Sequence, residues 1–115
     1  MPKPTDLVHG MLDLLILKTV ALEPKHGWAI AKRIQQISKE ALQVQQGSLY
    51  PALHRLIKRG WISFEEGVSK NNRRAKYYRL TAKGRKQLHL ETTKWEKLAG
   101  AIARILRPAE QESKL

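Results

Sequence analysis

The sequence predicts a mainly α-helical chain with one small β-hairpin, ending in a long terminal helix. Three observations predict it: apolar residues recur at helical spacing in four stretches, and one stretch alternates in period two around a Gly/Asn-rich turn. The last apolar stripe is also too long for a domain of this size to cover by itself. With 115 residues there is room for one domain, which buries roughly 60–70% of its unfolded surface.

The first helix is expected from about Asp6 to Ala21, where Leu7, Met11, Leu14, Leu15, Leu17 and Leu22 recur as a core stripe and Thr5 or Asp6 can cap the first turn. Glu23-Pro24-Lys25-His26-Gly27 is a turn signal. A second helix should follow from Trp28 to Ser38, burying Ala31, Ile34 and Ile37 with Ile30 at the edge. Leu42 and Val44, two apart in a polar stretch, can form a short strand or an anchored loop.

Pro51 constrains the third helix, because a residue without an N–H is harmless only in the first turn. That places the start at Gly47 or Ser48, with Ser48 as the cap. Leu49, Leu53, Leu56 and Ile57 then form the core face, while Ser48, Tyr50, His54, Arg55 and Lys58 lie elsewhere on the cylinder. Gly60 ends the helix.

Trp61 to Glu65 alternates, and Arg74 to Leu80 returns as the second strand, with Ile62, Phe64, Tyr78 and Leu80 sharing the inward face. Glu66 to Arg73 is the loop between them. Thr81 should cap the last helix, whose stripe of Leu88, Trp95, Leu98, Ala99, Ile102, Ile105 and Leu106 runs to Pro108. Three helices followed by a hairpin make a winged helix-turn-helix. The expected organisation is a winged-helix domain over 1–80, a dimerisation helix over 81–107 and a disordered tail over 108–115.

Composition narrows the partners. Lys and Arg number 22 against 10 Asp and Glu, a net charge of +12, which attracts phosphate and raises encounter rates with nucleic acid. Charge by itself does not separate DNA from RNA, an anionic membrane or an acidic protein. There is no cysteine, so thiol catalysis, disulfides and Cys-based zinc sites are excluded. The four histidines have no metal-cluster spacing, and Glu65 and Glu66, consecutive on a strand, point to opposite sides and make no acid/base pair. Neither a phosphate-binding glycine loop nor a nucleophile elbow is present, so the chain is not expected to be an enzyme or to need a cofactor. No apolar run could span a bilayer and residues 1–10 lack a signal-peptide core, which makes a cytoplasmic protein without a membrane partner the expectation.

A helix fits the DNA major groove, and the third helix offers Ser48, Tyr50, Pro51, His54, Arg55 and Lys58. The wing adds Lys70, Asn71, Asn72, Arg73, Arg74 and Lys76, cations for phosphate and amides for a tight turn. The alternative is that both sets are simply solvated surface. Along the last helix, Leu88, Trp95, Leu98, Ala99, Ile102 and Leu106 form a seam for another helix, and a symmetric homodimer would set two reading helices about 34 Å apart, one turn of duplex DNA. Trp95 is then a dimer anchor, a ring lining a ligand cavity between subunits, or internal core.

Three motifs in order resemble the PadR family of transcriptional regulators: His26-Gly27-Trp28-Ala29-Ile30, Gly47-Ser48-Leu49-Tyr50-Pro51-Ala52-Leu53-His54-Arg55-Leu56, and Asn72-Arg73-Arg74-Ala75-Lys76-Tyr77-Tyr78-Arg79-Leu80-Thr81. The likeness covers roughly residues 7–107. It implies a homodimeric winged-helix protein, usually a repressor, that sits on a palindromic operator and is released by a small molecule. The short region after the wing resembles the compact branch of the family, some of whose members bind flat aromatic effectors between central tryptophans; Trp95 corresponds in position. Two departures stand out. Relatives often carry a tryptophan where this chain has Glu65-Glu66-Gly67, and an acidic residue where it has Lys70, which makes this wing more basic and favours backbone grip over selectivity. The competing functions are a weakly selective architectural DNA-binding protein and a winged helix used to dock protein.

Overall fold

The computed structural model describes residues 9–68 and 70–107. In chain order these form α1 (His9–Leu22), β1 (Lys25–His26), α2 (Gly27–Ile37), α3 (Gln46–Lys58), β2 (Ile62–Val68), β3 (Arg74–Leu80) and α4 (Ala82–Leu106). The expected cap at Thr5 or Asp6, Leu7 and the tail 108–115 lie outside the described residues.

The helices enclose one core. Leu12, Ile16, Leu17 and Val20 of α1 meet Ile30 and Ile34 of α2, Leu49, Ala52, Leu53 and Leu56 of α3, and Ile62 and Tyr78 of the sheet. Helix α1 corrects the expected stripe: Leu12, Ile16 and Val20 are buried with Leu17, whereas Met11, Leu14 and Leu15 are half-buried and Leu22 is exposed. The helix is apolar on nearly every side, so leucine spacing alone does not say which side faces inward. Thr19, buried among them, is satisfied by donating to the Leu15 carbonyl at 2.7 Å. In α2 the inward pair is Ile30 and Ile34, and Ile37, expected in the core, is exposed in the last turn. Leu42 and Val44 form an anchored loop, both packed against the core.

The expected hairpin is part of a three-stranded antiparallel sheet in the order β1-β3-β2. Lys25 and His26, anticipated as turn, pair with Tyr78 and Tyr77 of β3. On the other side β2 runs in register from Ile62↔Leu80 to Val68↔Arg74, so Glu66, Gly67 and Val68 are strand, not the start of the wing loop, and Arg74 already belongs to β3. Tyr77 accounts for the extension: its ring lies over Gly67, where a Cβ would sit 2.8 Å from it, and its hydroxyl donates to the Val68 carbonyl at 3.2 Å. Asn72, at φ 60, takes the left-handed turn position that asparagine tolerates. Phe64 shares a face with Tyr78 but is exposed, covered instead by the Lys76 ammonium 4.5 Å above its ring.

Thr81 caps α4 as expected, its hydroxyl accepting from the Gly84 amide at 2.9 Å and donating to the Gly60 carbonyl at 2.6 Å. Gly84 is buried, and a Cβ there would lie 1.9 Å from the Trp61 carbonyl oxygen. The first turn of α4 is thus seated directly on the backbone that enters β2. Leu88 packs on the core, the helix beyond it runs on beside α1, and the molecule measures 62 × 31 × 23 Å.

Candidate nucleic-acid interface

Helix α3 begins at Gln46, one residue before the expected Gly47 and two before Ser48. Gln45, extended at φ −82 and ψ 150, is the N-cap and makes no side-chain cap bond; Ser48 lies inside the first turn, with its amide on the Gln45 carbonyl at 3.0 Å. Pro51 is therefore the sixth helical residue and leaves the Gly47 carbonyl without its amide donor. Gly47 is exposed, so water can supply that bond.

Opposite the buried face, Tyr50, Pro51, His54 and Lys58 form the exposed crest of α3. The Tyr50 ring leans across Gly27, where an added Cβ would meet its hydroxyl end at 3.0 Å. It thereby reaches the neighbourhood of Tyr78, whose phenol is pushed above its ordinary range by burial and, secondarily, by Tyr50. The Tyr78 phenol thus stays protonated at ordinary pH.

Arg55 is placed differently from the rest of the expected set. It lies on the shoulder of α3 and donates from Nη2 to Asp13 Oδ1 of α1 at 2.9 Å, while Arg59, one turn on, approaches Asp13 Oδ2 at 3.6 Å. The Arg59 guanidinium also stacks 5.0 Å from the Trp61 ring.

The wing rises beside α3. Residues 74, 76, 78 and 80 share one face of β3: Tyr78 and Leu80 continue the core, and Arg74 and Lys76 carry the same face outward as exposed cations. On the opposite face Arg79 pairs with Glu65 across the strands. Lys70, Asn71, Asn72 and Arg73 are exposed at the tip.

Between crest and wing runs a groove of about 1000 Å³, lined by Tyr50 of α3, Lys70, Asn71, Arg73 and Arg74 of the wing, and His26 and Trp28 at the start of α2. His26 and Trp28 were not among the expected binding residues. His26 Nδ1 accepts from the Ala29 amide at 3.3 Å, capping α2, and its ring stacks on Trp28 at 6.4 Å and meets Tyr77 edge-on at 5.9 Å. Trp28 is largely exposed, with the Lys32 ammonium 4.6 Å from its ring. Glu23 also borders the groove, its carboxyl held below the usual range by the hydrogen bond and charge of Lys25. The signal for both aromatic groups was the His26-Gly27-Trp28 motif, whose local role is to start α2 against the wing.

Along α4, the expected seam divides. Leu88 packs within the domain and Ala99 is half-buried; Trp95, Leu98, Ile102 and Leu106 are exposed, as is Ile105. Met11 and Leu14 of α1 and Trp95 and Leu98 of α4 line a second groove of about 660 Å³. Among the described residues there is no cluster of potential metal ligands and no helix long and apolar enough to cross a membrane.

A winged helix-turn-helix with a cationic groove beside its third helix defines the architecture of a regulator of transcription. Residues 16–90 match the model of the transcriptional regulator PadR-like family, and the chain belongs to that family, whose members are regulators, not enzymes. It is similar to a transcriptional regulator from Clostridium thermocellum, with a TM-score of 0.81 and 28% identity over 89% of this chain and 99% of that one. It is also similar to a PadR-like transcriptional regulator from Bacillus cereus, at a TM-score of 0.77 and 25% identity over 89% and 97% of the two chains. An uncharacterised protein from Lysinibacillus sphaericus is 27% identical over 98 residues, 85% of this chain and 90% of its own length.

Proposed function

We propose that the chain is a sequence-specific double-stranded DNA-binding regulator, acting in the cytoplasm as a homodimeric, ligand-responsive repressor on a palindromic operator. The observation that carries this reading is the groove between the α3 crest and the wing, where exposed cations flank an exposed helix. On this reading Ser48, Tyr50, Pro51, His54 and Lys58 meet the major groove, and Lys70, Asn71, Asn72, Arg73, Arg74 and Lys76 meet phosphate or the minor groove. The exposed stripe of Trp95, Leu98, Ile102 and Leu106 supports a dimer through α4, with Leu88 and Ala99 at its inner edge. Lys70 gives some weight to the weakly selective architectural alternative, because a more basic wing adds grip without sequence information.

Salt-titrated binding to the chain's own upstream DNA and to unrelated fragments separates the two. The repressor reading expects a preference of about 1000-fold or more for the upstream fragment. Equal affinity for all fragments overturns it in favour of the architectural reading. For the effector, the groove beside Trp95 supports a planar aromatic ligand; such compounds are expected to quench tryptophan fluorescence and release DNA. Quenching that survives Trp95→Phe, leaving only Trp28 and Trp61 to report, removes Trp95 from that role.

A further inference from the structure

Asp13 sits on α1, outside every DNA-facing element, yet its carboxylate engages two arginines of the reading helix. Arg55 and Arg59 are four residues apart, so both project from one shoulder of α3, and Asp13 takes one with each oxygen, at 2.9 and 3.6 Å. Asp13's side chain is only 18% exposed and Arg55's 33%, so this pair is better shielded from solvent than the Arg79–Glu65 pair of the wing, at 49% and 60%. Arg59, at 51%, is held at the solvent edge between Asp13 and the Trp61 ring.

We propose that Asp13 is a specificity-determining residue of the DNA-binding surface: it ties Arg55 and Arg59 to the body of the domain and so withholds two cations from phosphate. The inference rests on the DNA-binding reading above and replaces the expectation, drawn from the sequence, that Arg55 contacts the groove. In a chain of net charge +12, cations beside the reading helix strengthen binding to every sequence alike. Restraining two of them lowers non-specific affinity and leaves the crest of Tyr50, His54 and Lys58 to discriminate. Both arginines cannot leave cheaply, because Asp13 would then remain as a half-buried, unpaired carboxylate. Asp13 also positions α3, since the same contact fixes the shoulder of that helix to α1.

The test measures the slope of log affinity against log salt on a mixed-sequence duplex for the full chain and for Asp13→Asn, Arg55→Gln and the double variant. Asp13→Asn is expected to steepen the slope by about 0.9 for each arginine released, and so by about 1.8 at most. Arg55→Gln should leave the slope of the otherwise unchanged protein as it is, yet cancel about 0.9 of the steepening when combined with Asp13→Asn. A merely structural role for Asp13 predicts altered thermal stability with an unaltered slope in all three variants, and that result overturns the proposal. So does a slope that becomes shallower by about 0.9 on Arg55→Gln alone, which would make Arg55 a direct phosphate contact. If the unaltered protein itself binds no duplex at low salt, it is the DNA-binding reading that fails.

Discussion

Gly84 is the residue whose identity is most tightly dictated by its surroundings. Its missing Cβ lets the first turn of α4 approach the Trp61 carbonyl, and the 1.9 Å separation an alanine Cβ would have from that oxygen cannot be relieved by a rotamer change. Gly84→Ala should therefore lower unfolding free energy by about 3 kcal/mol or more, as overpacking against backbone does. Gly100, farther along the same helix, meets only the tip of Arg104 at 3.8 Å. Gly100→Ala should instead raise stability by about 0.5–1 kcal/mol through helix propensity. Thermal or urea unfolding of the two variants side by side checks this, and equal effects would show that the close approach does not exist. The contrast was invisible in sequence, where both are helical glycines. Asp13 was equally illegible: its partner Arg55 is 42 positions away, and no local pattern pairs them.

At the scale of elements, wing and reading helix were the most legible parts. The alternation from Ile62 and the basic return from Arg74 located both strands, and the leucines of α3 located its buried face. Two elements escaped. Strand β1 is two residues long, too short to show alternation, and exists only because β3 offers an edge to Lys25 and His26. The start of α3 lies one or two residues before the expected Gly47 or Ser48 because Pro51 can sit deeper in a helix when the carbonyl it orphans, that of Gly47, is open to water. The wing face that carries Arg74 and Lys76 past Tyr78 gives a prediction on the same scale. Arg74→Gln is expected to weaken binding to all duplexes similarly and to make the salt slope shallower by about 1. Affinities that change for one sequence and not for others would instead make Arg74 a base reader.

For the whole molecule, the terminal helix decides how two readers would be spaced. Its 25 residues extend about 37 Å, and Trp95, Leu98 and Ile102 along it are exposed. Ile102→Asp should raise the monomer fraction and weaken binding to a two-half-site fragment far more than to a single half-site. Sedimentation velocity with gel-shift titration measures both, and an unaltered assembly would move the interface off this stripe. The long stripe points to a partner in the sequence, but that Leu88 belongs to the domain core while Trp95 and Leu98 border a groove on α1 required the fold. The seat of α4 at Gly84 has a mechanical consequence. Seated at Gly84 and running beside α1 as far as Leu98, the helix continues past the domain, and a tilt of about 10° at its seat would carry the far end about 6 Å sideways over its length. Small changes where Thr81, Gly60 and Trp61 meet are thereby magnified at the far end of the helix.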